Sequence, residues 1–176
     1  MALGAMGAVL VVAALTACSG RPGAAAVVDG TRIPVSDVES ATTELAPYFQ
    51  GVTPAAVVSV LMLEPTVAAA AEENGVTVSD QQADDQLATL AQQNDPDASP
   101  TFSDSSRTIV RYTMEASALS QLTNASDVNA DLQARVSALD IQLNPRYGTL
   151  GADNTIGATV HPWLVAPTAD PTAAAQ

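Results

Sequence analysis

Val57-Val58-Ser59-Val60-Leu61-Met62-Leu63 is the stretch that decides the fold of this chain, because six of its seven residues are apolar. A helix without a polar side has no stable place at a surface, so this one is expected at the centre of a domain. Its start is marked by Thr53 as cap and Pro54 at the first helical position. Pro65 predicts a kink or a break, because proline removes a hydrogen-bond donor and crowds the preceding turn. The helix is expected to resume from Val67 to Glu73, where Asn74-Gly75 supplies a stop.

Working outward, four more helices are predicted around it. Ser36 with Glu39 reads as a capping box opening a helix that presents Val38, Leu45 and Phe49 and ends at Gly51. Ser79 with Gln82 reads as a second box, before a face of Ala83, Leu87, Leu90 and Ala91. Ser103 or Ser105 starts a helix carrying Ile109, Val110, Met114, Leu119 and Leu122. Asn124 to Asn129 is expected to turn the chain into a last helix through Val128, Leu132, Val136 and Leu139. Ahead of the helices, Ala26-Val27-Val28 and Thr31-Arg32-Ile33 flank Asp29-Gly30, the signature of a tight hairpin. Behind them, Asp140-Ile141-Gln142-Leu143-Asn144 alternates as a strand does, and Pro145 ends it. The expected class is therefore mainly α: five helices, an N-terminal hairpin and a C-terminal strand. After Leu150 the chain is rich in Gly, Ala, Thr and Pro without periodicity, so residues 151–176 are expected to form a flexible tail in which Trp163 is a docking candidate.

The first seventeen residues carry no charge. The apolar run from Ala8 to Leu15 is far shorter than the ~20 residues a bilayer-spanning helix needs, and has the size of a signal-peptide core. Leu15-Thr16-Ala17-Cys18 then has the form of a lipobox. The small residues admit an extended backbone to the signal peptidase, and the Cys18 thiol accepts a diacylglyceryl group as a thioether. Cys18 is the only cysteine, so no internal disulfide accounts for it; the other reading is a buried thiol. Signal peptides ordinarily open with Lys or Arg, so such residues are expected upstream of Met1, with Met1 a late start. The organisation expected is residues 1–17 as signal peptide, 18–25 as lipidated tether, 26–150 as the helical domain, and 151–176 as tail. Two or three acyl chains would hold the protein firmly where one gives marginal binding.

Cleavage leaves 159 of the 176 residues, enough for one domain with a core. Nineteen acidic residues oppose six basic ones for a net charge of −13. That balance excludes nucleic acid as a partner and adsorption to anionic lipid, which both need basic surface. Catalytic chemistry finds little to work with. His161 is the only histidine and lies in the tail, so a triad lacks a base and zinc lacks its ligands. Asp84-Asp85, Glu72-Glu73 and Asp95-Pro96-Asp97 read as solvated carboxylates, the last without the glycine and distal glutamate of a calcium loop. No metal and no cofactor are expected.

Three segments in order resemble one family. They are Ala25 to Val38, with its strand, turn and Ile-Pro-Val-Ser-Asp-Val; Ala71-Glu72-Glu73-Asn74-Gly75-Val76-Thr77-Val78-Ser79-Asp80; and Leu143-Asn144-Pro145-Arg146-Tyr147-Gly148. Behind a lipobox, they resemble the SurA N-terminal chaperone domain as it occurs in lipoproteins, over roughly residues 25–150. The resemblance implies a helical domain whose hairpin is closed by the C-terminal strand, and the binding of unfolded or incoming exported polypeptides. The chain has no room for the parvulin domain that often accompanies it, which makes a prolyl isomerase the least favoured reading. The function expected is a non-catalytic, chaperone-like module, lipid-anchored on the outer face of the cytoplasmic membrane. The alternative is an accessory lipoprotein that scaffolds one specific envelope partner. Arg146 and Tyr147 are the candidate peptide contacts, against the plainer reading that Tyr147 packs inside and Arg146 pairs with an acid.

Cys18→Ser is expected to leave the fold unchanged while releasing or mislocalising the protein, read by membrane fractionation. Wild-type protein is expected to carry a lipid-dependent mass increase at Cys18; its absence from the mass spectrum would remove the lipoprotein reading.

Overall fold

The computed structural model describes residues 22–151 and 154–157. Cys18, the signal peptide, the first half of the tether, His161 and Trp163 lie outside the described residues. In chain order the elements are β1 (Ala24–Val28), β2 (Thr31–Pro34), α1 (Val35–Leu45), α2 (Pro54–Glu73), α3 (Asp80–Asn94), α4 (Asp104–Ser120), α5 (Ala125–Ala138), β3 (Ile141–Leu143), β4 (Thr149–Leu150) and β5 (Ile156–Gly157). The protein is mainly helical with small antiparallel sheets, the class its periodicities predict.

Asp29 and Gly30 both take positive φ, 46° and 81°, as a two-residue type I′ turn demands, and Val28 faces Thr31 directly beside it. The turn is also tied to the far end of the domain. The Asp29 N–H donates to the Asp140 carbonyl, and the Asp140 N–H donates to Asp29 Oδ1, each at 2.9 Å. These bonds deliver β3 to the free edge of β1, where Val28 pairs with Ile141 and Ala26 with Leu143, giving the strand order β2-β1-β3. Every residue of β1 is buried. Ala24 and Ala25, expected in the tether, therefore belong to the domain; their small side chains let the sheet lie close on the helices.

α2 is the hub: it packs against α1, α4, α5, β1 and β2, and buries Val57, Val58, Met62, Val67, Ala70 and Ala71. By length and composition it would also cross a bilayer, but here those side chains form the core of the domain. It is continuous through Pro65, so of the expected kink or break the break does not occur. Pro65 is exposed, so the lost donor falls on the solvent side, while burial on the opposite side outweighs a cost of about 3 kcal/mol. The end is a Schellman motif: the Val76 N–H donates to the Ala71 carbonyl at 2.8 Å and the Gly75 N–H to that of Glu72 at 3.1 Å, with Gly75 at φ 72°.

Three boundaries differ from the sequence reading. Ser36 does not cap α1; its hydroxyl donates to Asp37, and the helix grows straight out of β2 with the Val35 N–H held by the Gly23 carbonyl. α1 ends at Leu45, two residues before Pro47, so Phe49 sits in the following turn and not on the helix. α5 begins at Ala125, inside the stretch expected to turn, and Val128 is its one fully buried residue. The caps of the other two helices are as the sequence indicates: Ser79 and Gln82 form a reciprocal capping box, and Ser103, not Ser105, caps α4.

The described chain does not lose structure at Leu150. β4 and β5 pair antiparallel, Leu150 and Ile156 pack on the core, and the Asn154 side chain donates to the Val136 carbonyl at 2.6 Å. Gly148 makes this return possible: at φ +137°, a Cβ there would sit 2.4 Å from the Gly157 oxygen. Gly30, by contrast, has open space where a Cβ would lie. Gly148→Ala is expected to cost more stability than Gly30→Ala, about 2–3 kcal/mol against about 1 kcal/mol, measured by urea unfolding.

Candidate functional site

α4 carries two parallel stripes at four-residue spacing, so each lies along one side of the helix. Val110, Met114 and Ala118, continued by Leu122 just beyond the helix, form an apolar stripe; Thr113, Ser117 and Gln121 form an exposed neutral polar one. Beside them, Gln86 and Leu90 of α3, Val76 of the joint between α2 and α3, and Phe49 complete an open groove of about 620 Å³. A second cavity of about 240 Å³ shares Phe49 and Thr113 with it and continues toward Leu45, Val57 and Ile109. Phe49 thus stands between two apolar hollows. None of the side chains lining the groove ionises, so its chemistry is the shielding of apolar surface with hydrogen-bonding groups at the edge.

The walls of the groove are held by arginines of α4. Arg107 Nε lies 2.7 Å from Asp84 Oδ1 on α3, and Arg111 Nη1 lies 2.8 Å from Asp80 Oδ1 at the start of α3. The other Arg111 nitrogen reaches Glu64 on α2, so one guanidinium joins three helices. Ala83, Leu87 and Ala91 bury the inner face of α3. At the start of α4, Glu44 of α1 accepts from the Ser103 N–H at 2.8 Å, the Ser103 hydroxyl at 2.8 Å and the Ser106 hydroxyl at 2.6 Å. A carboxylate in that position also faces the positive end of the helix.

The two glutamates on these joints titrate in opposite directions. Burial by itself raises the Glu44 carboxyl, but the Ser103 N–H and the Ser106 and Ser103 hydroxyls outweigh it and hold the group below its ordinary value. Glu115 on α4 is 5% exposed, its Oε2 has no hydrogen-bond partner, and Arg111 Nε is 4.0 Å away. Burial pushes its carboxyl up, Arg111 opposes that, and the neighbouring charge of Glu64 adds to the rise.

Of the residues singled out in the sequence, Tyr147 is 7% exposed within the main core, and its hydroxyl has no hydrogen-bond partner. Arg146 is exposed; its Nη2 lies 3.5 Å from Glu39 Oε1 on α1, and its guanidinium carbon is 6.0 Å from the Tyr147 ring centre. Neither residue lines the groove. Cys18 and His161 lie outside the described residues. Asp84 and Glu73 hold Arg107 and Arg135, and Asp95 Oδ1 accepts from the Asp97 N–H as a turn does. Among the described residues, no three His, Cys, Asp or Glu side chains are arranged to hold a metal. The groove itself escaped sequence reasoning, although the Thr113-Ser117-Gln121 stripe beside an apolar one was its visible trace.

The opposite shifts of Glu115 and Glu44 give opposite pH effects. A carboxyl raised in the fold favours folding below its unfolded pKa, and that contribution is lost as the pH rises through the folded value. A carboxyl lowered in the fold stabilises above its unfolded pKa and stops doing so as the pH falls through the folded value. Glu115→Gln is therefore expected to raise Tm at about pH 7 and change it little at about pH 4. Glu44→Gln is expected to lower Tm at about pH 7, with the loss shrinking in acid; circular dichroism melts check both.

No protein-family model, curated protein or solved structure matches the chain.

Proposed function

We propose that this protein is a lipid-tethered, non-catalytic, chaperone-like module that binds exported polypeptides at the outer face of the cytoplasmic membrane. The observation that carries the reading is the groove between α3 and α4: an apolar floor, neutral polar edges and no ionisable group in its lining. Such a surface holds an extended apolar segment without demanding a particular sequence. Met114 adds a flexible, polarisable contact to the floor. The resemblance to SurA N-terminal domains and the lipobox at Cys18 support the same reading. A tether at the membrane would raise the local concentration of the module where translocated chains emerge.

The test is aggregation of a reduced, unfolded exported protein, followed by light scattering, with the soluble form lacking residues 1–18. Suppression near equimolar ratio is expected. Unchanged scattering at several-fold excess would remove the chaperone reading and leave the single-partner accessory lipoprotein as the better one.

A further inference from the structure

We propose that the α3–α4 groove seats one extended segment of about six residues, uncharged and apolar at its centre and bearing lysine or arginine at its ends. This rests on the reading of the protein as a polypeptide binder and adds the size and charge of what it binds.

The length follows from the floor. Twelve residues separate Val110 from Leu122, and at 1.5 Å per residue the stripe is about 18 Å long. An extended chain rises about 3.3 Å per residue, so five or six residues fill it. The uncharged centre follows from the lining. No ionisable side chain faces the groove, so a charged residue seated there would give up hydration with nothing to replace it. Ala118 is the smallest residue of the floor, so a large side chain of the segment can sit over it.

The basic ends follow from the charge around the groove. Every arginine among the described residues is engaged: Arg107, Arg111, Arg135 and Arg146 in ion pairs, and Arg32 on the Gly23 carbonyl at 2.8 Å. Asp85, next to Gln86, has no arginine within ion-pair distance among the described residues. Neither have Asp95 beyond Leu90, Glu72 ahead of Val76, or Asp127 beyond Leu122. Each stands within five residues, along the chain, of a residue that lines the groove. With a net charge of −13, the body presents a negative field around an uncharged cleft. A segment with cationic flanks is steered to it and one with anionic flanks is repelled.

Fluorescence anisotropy would test this with the lipidated protein in discs of neutral lipid, empty discs as control. Three labelled peptides would share one uncharged apolar centre of about six residues and differ only in Lys, Ser or Glu flanks. The Lys-flanked peptide is expected to bind about tenfold more tightly than the Glu-flanked one at low salt, the gap closing as salt screens the field. Ala118→Phe, which puts a large ring on the floor, and Ser117→Arg, on the exposed edge, are each expected to weaken the Lys-flanked peptide about fivefold or more. Because Ser117 is exposed, its variant keeps the test valid if Ala118→Phe fails to fold. Equal affinity for all three flanks, or Lys-flanked binding untouched by Ser117→Arg and by a folded Ala118→Phe, would overturn the proposal. If wild type suppresses aggregation while either of these results is found, the groove assignment falls and the chaperone reading stands. If wild type neither binds a peptide nor suppresses aggregation, both fall.

Discussion

A helix that is apolar on nearly every side has to be surrounded, and the arrangement of this protein follows from surrounding α2. The sheet covers it on one side, α1 and α4 on others, and α5 closes over its C-terminal half. The core divides accordingly. One cluster gathers β1, α1, the first half of α2, and α3 and α4 around Val58 and Met62; a second joins Val67, Ala70 and Ala71 to Leu119 and Val128. The constraint is strong enough to carry α2 through Pro65, which loses one hydrogen bond on the side that faces water. Burial of a whole face is worth more than one local donor.

The polar interactions are few and mostly placed at joints between helices. An acidic chain with six arginines would not ordinarily hold its charge together, yet the described ones are spent largely in cross-links. Arg111 links α2, α3 and α4, Arg107 links α3 to α4, and Arg135 links α5 to the end of α2. Most of these pairs are partly exposed, so each adds little stability. Their effect is positional: they set where α3 lies on α4, and with it the width of the groove. Glu44 does the same for α1 through hydrogen bonds to the start of α4.

Much of this architecture was legible in the sequence. Asp29-Gly30 announced its hairpin because its two residues are the ones that tolerate positive φ. Ser79 with Gln82 announced α3 because both halves of the capping box are local. Other boundaries depended on what lay across space. Ser36 had the right spacing for a cap, but the pairing of β2 with β1 had already fixed where α1 begins. The chain around Leu150 carried no periodicity, yet Thr149–Leu150 pairs with Ile156–Gly157 because Gly148 lets Gly157 approach and the Asn154 side chain donates to the Val136 carbonyl near the end of α5. Tyr147 drew notice as a polar aromatic beside an arginine, and its ring is in the core.

The sequence alone determined the helical class, the number of helices, the central place of α2, the hairpin, the strand that closes it and the acidic charge. All of these are properties of short windows or of composition, fixed by periods of 3.6 and 2 and by turn chemistry. Only the tertiary structure decided which face of α4 stays open, that Glu115 is buried beside Arg111, and that Phe49 stands between two apolar hollows. Each of these depends on how residues far apart in the chain meet, and a pattern along one helix does not say which of its sides a neighbour will cover.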